Sequence, residues 1–359
     1  MAARVMIMAG GTGGHVFPAL AVAQELRKRG CEISWLGTPR SFESRLIPSQ
    51  GIDFDTIDSF RLRGQGVWNL LLAPLRLLRA MLQATSVLRS RRPAVVLGMG
   101  GFASGPGGLV SRLLGIPLVI HEQNTIPGMT NRWLAKFAKR TLQAFPGSFP
   151  QQPKVTTCGN PVRPEILDLP MPAQRFAARS GACMNLLVMG GSLGAQALNE
   201  SLPSALALID PSQRPAIVHQ AGRDKQASTE QAYQKAGVQA LVHEFIDDMP
   251  AALAAADLVV CRAGALTISE LAAAGVGSIL VPFPFAVDDH QTRNAAYLCD
   301  AGAAVLLPQA QSTPENLAAL LRQLGADRGR LLRMAEAARH QSMPQALRCV
   351  ADACLEVAL

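Results

Sequence analysis

The chain has 359 residues, 49% hydrophobic and 17% charged, which is enough apolar material for two ordinary domains. No run of about 18 apolar residues occurs, which argues against a spanning helix. Net charge is +8 but unevenly placed: residues 1–160 hold 19 Lys and Arg against 7 Asp and Glu, and the remainder holds 15 against 19.

The basic half calls for an anionic partner. Nucleic acid is a poor fit, because aromatic residues make up only 5% and no recognised binding motif is present. An anionic lipid surface fits better. The seven cysteines are odd in number and scattered, with no Cys-x-x-Cys. They read as reduced thiols of a cytoplasmic protein.

In chain order, residues 4–8 read as a strand, with no signal-peptide pattern before it. That strand empties into Gly10-Gly11-Thr12-Gly13-Gly14, and a helix pattern follows at once. Backbone N–H groups and a helix dipole converge at such a turn and make an anion site. His15 is the only titratable side chain in it, which makes it a candidate general base. A dinucleotide fingerprint fails here. Counted from Gly11, the third glycine falls on Val16, and the next strand, 33–36, ends in Gly37 with no carboxylate for a ribose. Asp53-Phe54-Asp55 alternates like an edge strand and reads as structural, so neither a metal nor a cofactor is expected.

Residues 61–92 mix leucines with Arg61, Arg63, Arg76, Arg79, Arg89, Arg91 and Arg92. Val67, Leu71, Leu75, Leu78 and Leu82 step by four, four, three and four, which is a helical stripe. Pro74 is expected to split the segment into two helices. Leucines on one face beside arginines suit an interfacial helix, with Leu75, Arg76, Leu78, Arg79 and Leu82 as its membrane contacts. The competing reading packs the stripe on the sheet and leaves the arginines as a solvated rim.

The strand-turn grammar repeats at residues 95–108, with Gly100, Gly101, Ser104 and Gly105, and again at 186–194. Each such glycine either cradles a phosphate or lets a helix pack closely. Further strands are predicted at 54–57, 94–97, 117–120, 141–144 and 155–157. After a Pro-rich hinge at 159–164 come 185–189, 216–219, 240–243, 258–260, 278–281 and 304–307. This alternation with helices predicts an α/β chain of doubly wound parallel sheets. Residues 257–270 form a strand, a tight turn at Gly264 and a helix start, with Glu270 placed to accept both hydroxyls of a ribose. Asp288, Asp289, His290, Gln291 and Asn294 supply carboxylates and amides suited to sugar hydroxyls.

In order and spacing these stretches, with His121-Glu122-Gln123-Asn124 and 245–249, resemble the MurG family over essentially the whole chain. That family comprises the UDP-N-acetylglucosamine: lipid I N-acetylglucosaminyltransferases of bacterial peptidoglycan synthesis. The resemblance implies a GT-B fold, two Rossmann-like domains facing across a cleft. Residues 1–162 would form an acceptor- and membrane-facing domain, joined by a C-terminal helix at about 341–359. Residues 163–340 would bind the UDP-sugar. The implied reaction is transfer of GlcNAc with inversion to the C4 hydroxyl of MurNAc in lipid I, making lipid II at the cytoplasmic face of the inner membrane.

The resemblance also implies roles by position. Thr12, Gly13, Gly14, Asn124 and Gln291 would meet the donor sugar, and Arg163 and Ile246 the nucleotide. Ser192 would meet a phosphate. Ala265, Leu266, Thr267, Ile268, Ser269 and Glu270 would wrap the diphosphate and ribose. Gly11, Gly100, Gly101, Ser104 and Gly105 would face the acceptor diphosphate. His15 is the candidate base or a diphosphate ligand, with Glu122 behind it. Leu193 stands where the family commonly has Gln, and Gly277 where it has Pro. A UDP-sugar epimerase and a non-catalytic, membrane-docked nucleotide-sugar sensor are the alternatives.

Overall fold

The computed structural model describes residues 2–58, 72–179, 183–191 and 194–358. The backbone divides into two compact units, 1–162 with 344–359, and 163–343.

In the first unit β1 (Arg4–Met8), α1 (Gly13–Lys28), β2 (Glu32–Gly37), α2 (Glu43–Ser49) and β3 (Asp53–Thr56) are followed by α3 (Ala73–Arg91). Then come β4 (Val95–Gly98), α4 (Ser104–Leu113), β5 (Leu118–Glu122), α5 (Met129–Leu134), β6 (Arg140–Gln143) and β7 (Val155–Thr157). The seven strands pair in parallel in the order β3-β2-β1-β4-β5-β6-β7. Side chains of a strand alternate between faces. On β1, Val5 and Ile7 therefore enter one core with Val16, Val22 and Leu26 of α1. Met6 and Met8 enter the other with Ala80, Ala84 and Leu88 of α3. Helices on both faces explain why these strands read as continuous apolar runs.

The second unit contains α6 (Pro164–Leu167), α7 (Pro172–Ala178), β8 (Asn185–Met189), α8 (Gln196–Ala207), β9 (Ala216–Gln220), α9 (Gln226–Lys235) and β10 (Leu241–His243). It continues with α10 (Met249–Ala255), β11 (Leu258–Cys261), α11 (Ala265–Ala274), β12 (Gly277–Leu280), α12 (His290–Cys299), β13 (Ala304–Leu306), α13 (Pro314–Gly325) and α14 (Arg328–His340). Its six strands run parallel in the order β10-β9-β8-β11-β12-β13. The last helix, α15 (Ala346–Ala358), belongs to the first unit. There Val350, Ala351 and Cys354 share the α1 core, and Asp352 pairs with Arg29.

Each sheet reverses its winding once, between β1 and β4 and between β8 and β11. The crevice at the carboxyl ends of the strands on either side of such a switch is where open α/β sheets hold ligands. The glycine-rich turns after β1, β4, β8 and β11 all lie there.

Two sequence expectations need correction or restriction. Pro74 breaks nothing within the described residues. It sits in the first turn of α3, where a missing N–H costs no helical bond. Any helix before it falls at 59–71, outside the described residues, as do Arg61, Arg63, Val67 and Leu71.

Candidate active site

In the first unit the chain leaving β1 is pinned by Trp35, whose buried indole N–H donates to the Ala9 carbonyl at 2.9 Å. Glu43, fully buried at the start of α2, lies under the turn that follows. Its carboxylate accepts the Gly11 N–H at 3.1 Å and the Thr38 hydroxyl at 2.9 Å. A side chain at Gly10 would strike it, with a Cβ 2.3 Å from Oε1. The Gly11 amide is therefore consumed inside the protein and does not face a diphosphate. Gly13 and Gly14 open α1, so their N–H groups have no helical partner and remain the anion donors of this turn. Thr12 caps the helix in extended conformation, with its hydroxyl making no capping bond.

His15 stands in the first turn of α1, half-buried. Its Nδ1 is 3.0 Å from Oε1 of Gln123, whose amide Nε2 donates to the Met99 carbonyl at 2.9 Å. The tips of β1, β4 and β5 thus meet at one imidazole. Gly100 makes room for it, since a Cβ there would lie 2.7 Å from His15 Nδ1. Gly101 packs on the backbone of Gly10, where a Cβ would come within 2.5 Å of its carbonyl oxygen. Both are in the left-handed region, with φ of 93° and 85°.

Two expected site residues turn inward. Ser104 is fully buried, and its hydroxyl lies 2.9 Å from the Met8 carbonyl and 2.8 Å from that of Gly100. The Gly105 N–H donates to the Phe102 carbonyl. The Ser104 hydroxyl and the Gly105 N–H thus build the turn and are not offered to a diphosphate.

Glu122 is also not placed as a base. It is buried, and its carboxylate accepts four bonds: from the N–H and side-chain amide of Asn124, the Gly128 N–H and the Asn131 amide. Its lone pairs are committed to holding the 123–128 loop, so its effect is to fix Asn124. The neighbouring His121 is wholly buried, with Nε2 against the Gly159 carbonyl at 2.9 Å. Burial lowers its pKa to about 4 and keeps it neutral.

In the second unit Gly264 leads into α11, and the amides of Ala265, Leu266 and Thr267 face outward from the helix start. Ile268 is a core residue, and the Ser269 hydroxyl donates back to the Ala265 carbonyl. Their side chains are therefore structural. Glu270 accepts from Arg163 Nη2 at 2.9 Å, which brings together two of the expected nucleotide ligands. Burial pushes the Glu270 pKa up, and the Arg163 charge partly offsets it.

Ile246 lies in the loop between β10 and α10, with its backbone groups unpaired among the described residues. Gln291 opens α12, and its side-chain oxygen accepts the Phe283 N–H at 2.8 Å, leaving the amide NH₂ for a hydroxyl. Asp288 and Asp289, just before it, both have positive φ, a costly conformation that clusters at ligand sites. Ser192 and Leu193 lie outside the described residues. Around them, Gly194 has φ 70°, and a Cβ there would be 2.1 Å from the Ala221 carbonyl oxygen, so it serves close packing.

Sequence reasoning missed Arg262. It donates to the carbonyls of Val281 and Pro282 and to Gln309, and lies over the Phe283 ring. An arginine beside the α11 turn was visible in the sequence, but its partners lie 19 to 47 residues away.

The leucine stripe of α3 faces outward. Leu75, Leu78 and Leu82 are 64%, 53% and 63% exposed, while Ala80, Ala84 and Leu88 make the sheet contact. The packed-stripe reading is overturned for these three positions. The adjacent α4 and α5 also carry exposed apolar side chains, Leu113 and Trp133, each more than half exposed, with Lys136 over the indole. Arg112 and Arg132 stand beside them. Arg79 makes an exposed pair with Asp58, and Arg91 pairs with Asp53 and Asp55. The Asp-x-Asp of edge strand β3 is thus a tether for α3. No described helix is long and apolar enough to cross a membrane.

Comparison with known proteins adds an independent line. The glycosyltransferase family 28 N-terminal domain matches residues 5–143, and the family 28 C-terminal domain matches 185–348. A Marinobacter nauticus protein is 54% identical over 99% of this chain and 98% of its own length. A Nitrosospira multiformis protein is 53% identical over 99% of both. Both are named UDP-N-acetylglucosamine–N-acetylmuramyl-(pentapeptide) pyrophosphoryl-undecaprenol N-acetylglucosamine transferase. A crystal structure of Acinetobacter baumannii MurG superposes with a TM-score of 0.86 at 43% identity, covering 99% of each chain.

Proposed function

The chain belongs to the MurG transferases of glycosyltransferase family 28, which have the GT-B fold, and from that membership we propose how its own residues carry the reaction. It transfers GlcNAc from UDP-GlcNAc to lipid I, forming lipid II for peptidoglycan. The observation that carries this reading is likeness at 54% identity along essentially the full length of both chains.

In the proposed course the C4 hydroxyl of MurNAc attacks the anomeric carbon of GlcNAc with inversion. The new C–O bond forms as the bond to the diphosphate breaks. His15 takes the hydroxyl proton on Nε2. Charge developing on the leaving UDP is met by the amides at the start of α11, a preorganised dipole that needs no reorganisation during the step. Glu270 accepts from the ribose and Gln291 donates to a sugar hydroxyl. Asn124, held by Glu122, and the Thr12–Gly14 turn complete the proposed contacts to the donor sugar. The Gly13 and Gly14 amides also suit the acceptor diphosphate.

The test is incubation with UDP-GlcNAc, with and without a short-chain lipid I analogue. Acceptor-dependent UDP release with a disaccharide product is expected. Epimer formation without acceptor, or binding without turnover, would overturn the reading.

The enzyme docks peripherally on the cytoplasmic face of the inner membrane, through the apolar surface of α3, α4 and α5 and its cationic rim. Exposed leucines and a tryptophan beside arginines and lysines support this placement. Each arginine contributes on the order of 1 kcal/mol near an anionic surface, and the apolar area adds attraction that salt does not screen. Binding to anionic liposomes should therefore weaken with salt without vanishing. An Arg76→Glu/Arg79→Glu double variant should co-sediment much less than wild type. Equal binding by the two proteins would remove this surface from membrane contact.

A further inference from the structure

The geometry points to Gln123 as a positioning residue that fixes His15 in its Nδ1–H tautomer and so presents Nε2 as the atom that accepts the acceptor proton. The inference rests on the reading of His15 as the base, and it begins at a carbonyl. Met99 O can only accept a hydrogen bond, so the Gln123 atom 2.9 Å from it is the amide NH₂. That choice turns Oε1 toward His15 Nδ1 at 3.0 Å. An amide oxygen also only accepts, so the proton of the neutral imidazole sits on Nδ1. The lone pair is then on Nε2, which has no partner among the described residues.

The arrangement is rigid. Gln123 is 1% exposed, and its own carbonyl accepts from the Asn160 amide at 3.1 Å. The ring rests where Gly100 lacks a side chain. Free neutral imidazole carries its proton mainly on Nε2, the wrong atom for this step, so something must select the other form. In a Ser-His-Asp triad a carboxylate does this. Here an uncharged amide does it, and adds no negative charge beside a turn that must receive a diphosphate. The charged groups nearby are otherwise committed: Glu122 to the loop after β5 and Glu43 to Gly11 and Thr38. His121 is neutral and bonded to Gly159.

The experiment is ¹H–¹⁵N multiple-bond spectroscopy of ¹⁵N-histidine-labelled protein above neutral pH, with the His15 signals assigned by their loss in His15→Ala. Wild type is expected to show the Nδ1–H pattern. Gln123→Leu should shift His15 to the Nε2–H form. Its kcat should fall at least about tenfold, a part of the 10²–10⁴ that general-base catalysis supplies, with both KM values little changed. Gln123→Met carries the same expectation should the leucine variant not fold. Gln123→Glu retains an acceptor at Nδ1, so it should keep the Nδ1–H tautomer and recover activity relative to Gln123→Leu. An Nε2–H pattern in wild type, or Nδ1–H persisting in Gln123→Leu, overturns the assignment. A tautomer switch with unchanged kcat would support the positioning role and instead remove His15 as the base.

Discussion

Replacing His15 with alanine is expected to lower kcat by about 10²–10⁴ while leaving the protein folded, because general-base catalysis contributes that much. The side chain is half-buried in the first turn of α1, outside the hydrophobic cores of its unit, so its loss removes no core packing. The same position directly follows Gly13 and Gly14, whose amides open α1, so a second role as diphosphate ligand makes a distinct forecast. In that case acceptor KM rises more than kcat falls. Steady-state kinetics with a soluble lipid I analogue separates the two, and a folded variant showing neither effect takes His15 out of the site.

Much of the architecture was readable because parallel strands buried on both faces are short apolar runs that empty into a turn containing glycine. The runs at residues 5–8, 95–98, 186–189 and 258–261 all carry that signature and all lie beside a winding reversal. Strand β5 was read two residues short. His121 and Glu122 are polar, yet they extend the strand because their side chains find buried partners at Gly159, Asn124, Gly128 and Asn131. No local pattern announces such partners. Gln123 is the sharper case. Its contact with His15 spans 108 residues and exists only because β1, β4 and β5 are neighbours in the sheet. An uncharged amide in a loop gives no sign of that.

The leucine stripe shows a different limit. Leu75, Leu78 and Leu82 do lie on one helix, but period alone does not say which face turns inward. On α3 that was decided by Ala80 and Ala84, whose small side chains let the helix sit close to the sheet. The leucines were left outside. At the glycine turns, sequence could not separate cradle from packing. The structure divides them: Gly13 and Gly14 keep open amides at a helix start, whereas Gly10, Gly101 and Gly194 are glycines because another atom occupies the space of a Cβ.

Replacing Glu270 with alanine should raise the donor KM about tenfold to a hundredfold with the fold intact, since a hydrogen bond to a charged group is worth roughly 1.5–3 kcal/mol. The carboxylate is largely buried beside the start of α11, and Arg163 is its only ion-pair partner among the described residues. Its lone pairs suit ribose hydroxyls only while it is ionised. Burial raises its pKa, against the pull of Arg163, so protonation sets in at a higher pH than for an exposed glutamate. Donor KM in wild type should consequently climb as pH falls through that raised value, and this dependence should be absent in Glu270→Gln. Stability runs the other way. A carboxyl whose folded pKa is raised favours the fold most below its unfolded pKa, and that contribution is lost as pH rises through the folded value. Above that folded value the ionised Glu270 is thus a burden on the fold. Glu270→Gln, nearly isosteric, should unfold at a temperature no lower than wild type while binding UDP-GlcNAc more weakly. Calorimetric titration with UDP-GlcNAc and thermal melts at two pH values measure both halves. Wild-type donor affinity in the glutamine variant would place the ribose elsewhere and leave the Arg163 pair as a structural bridge.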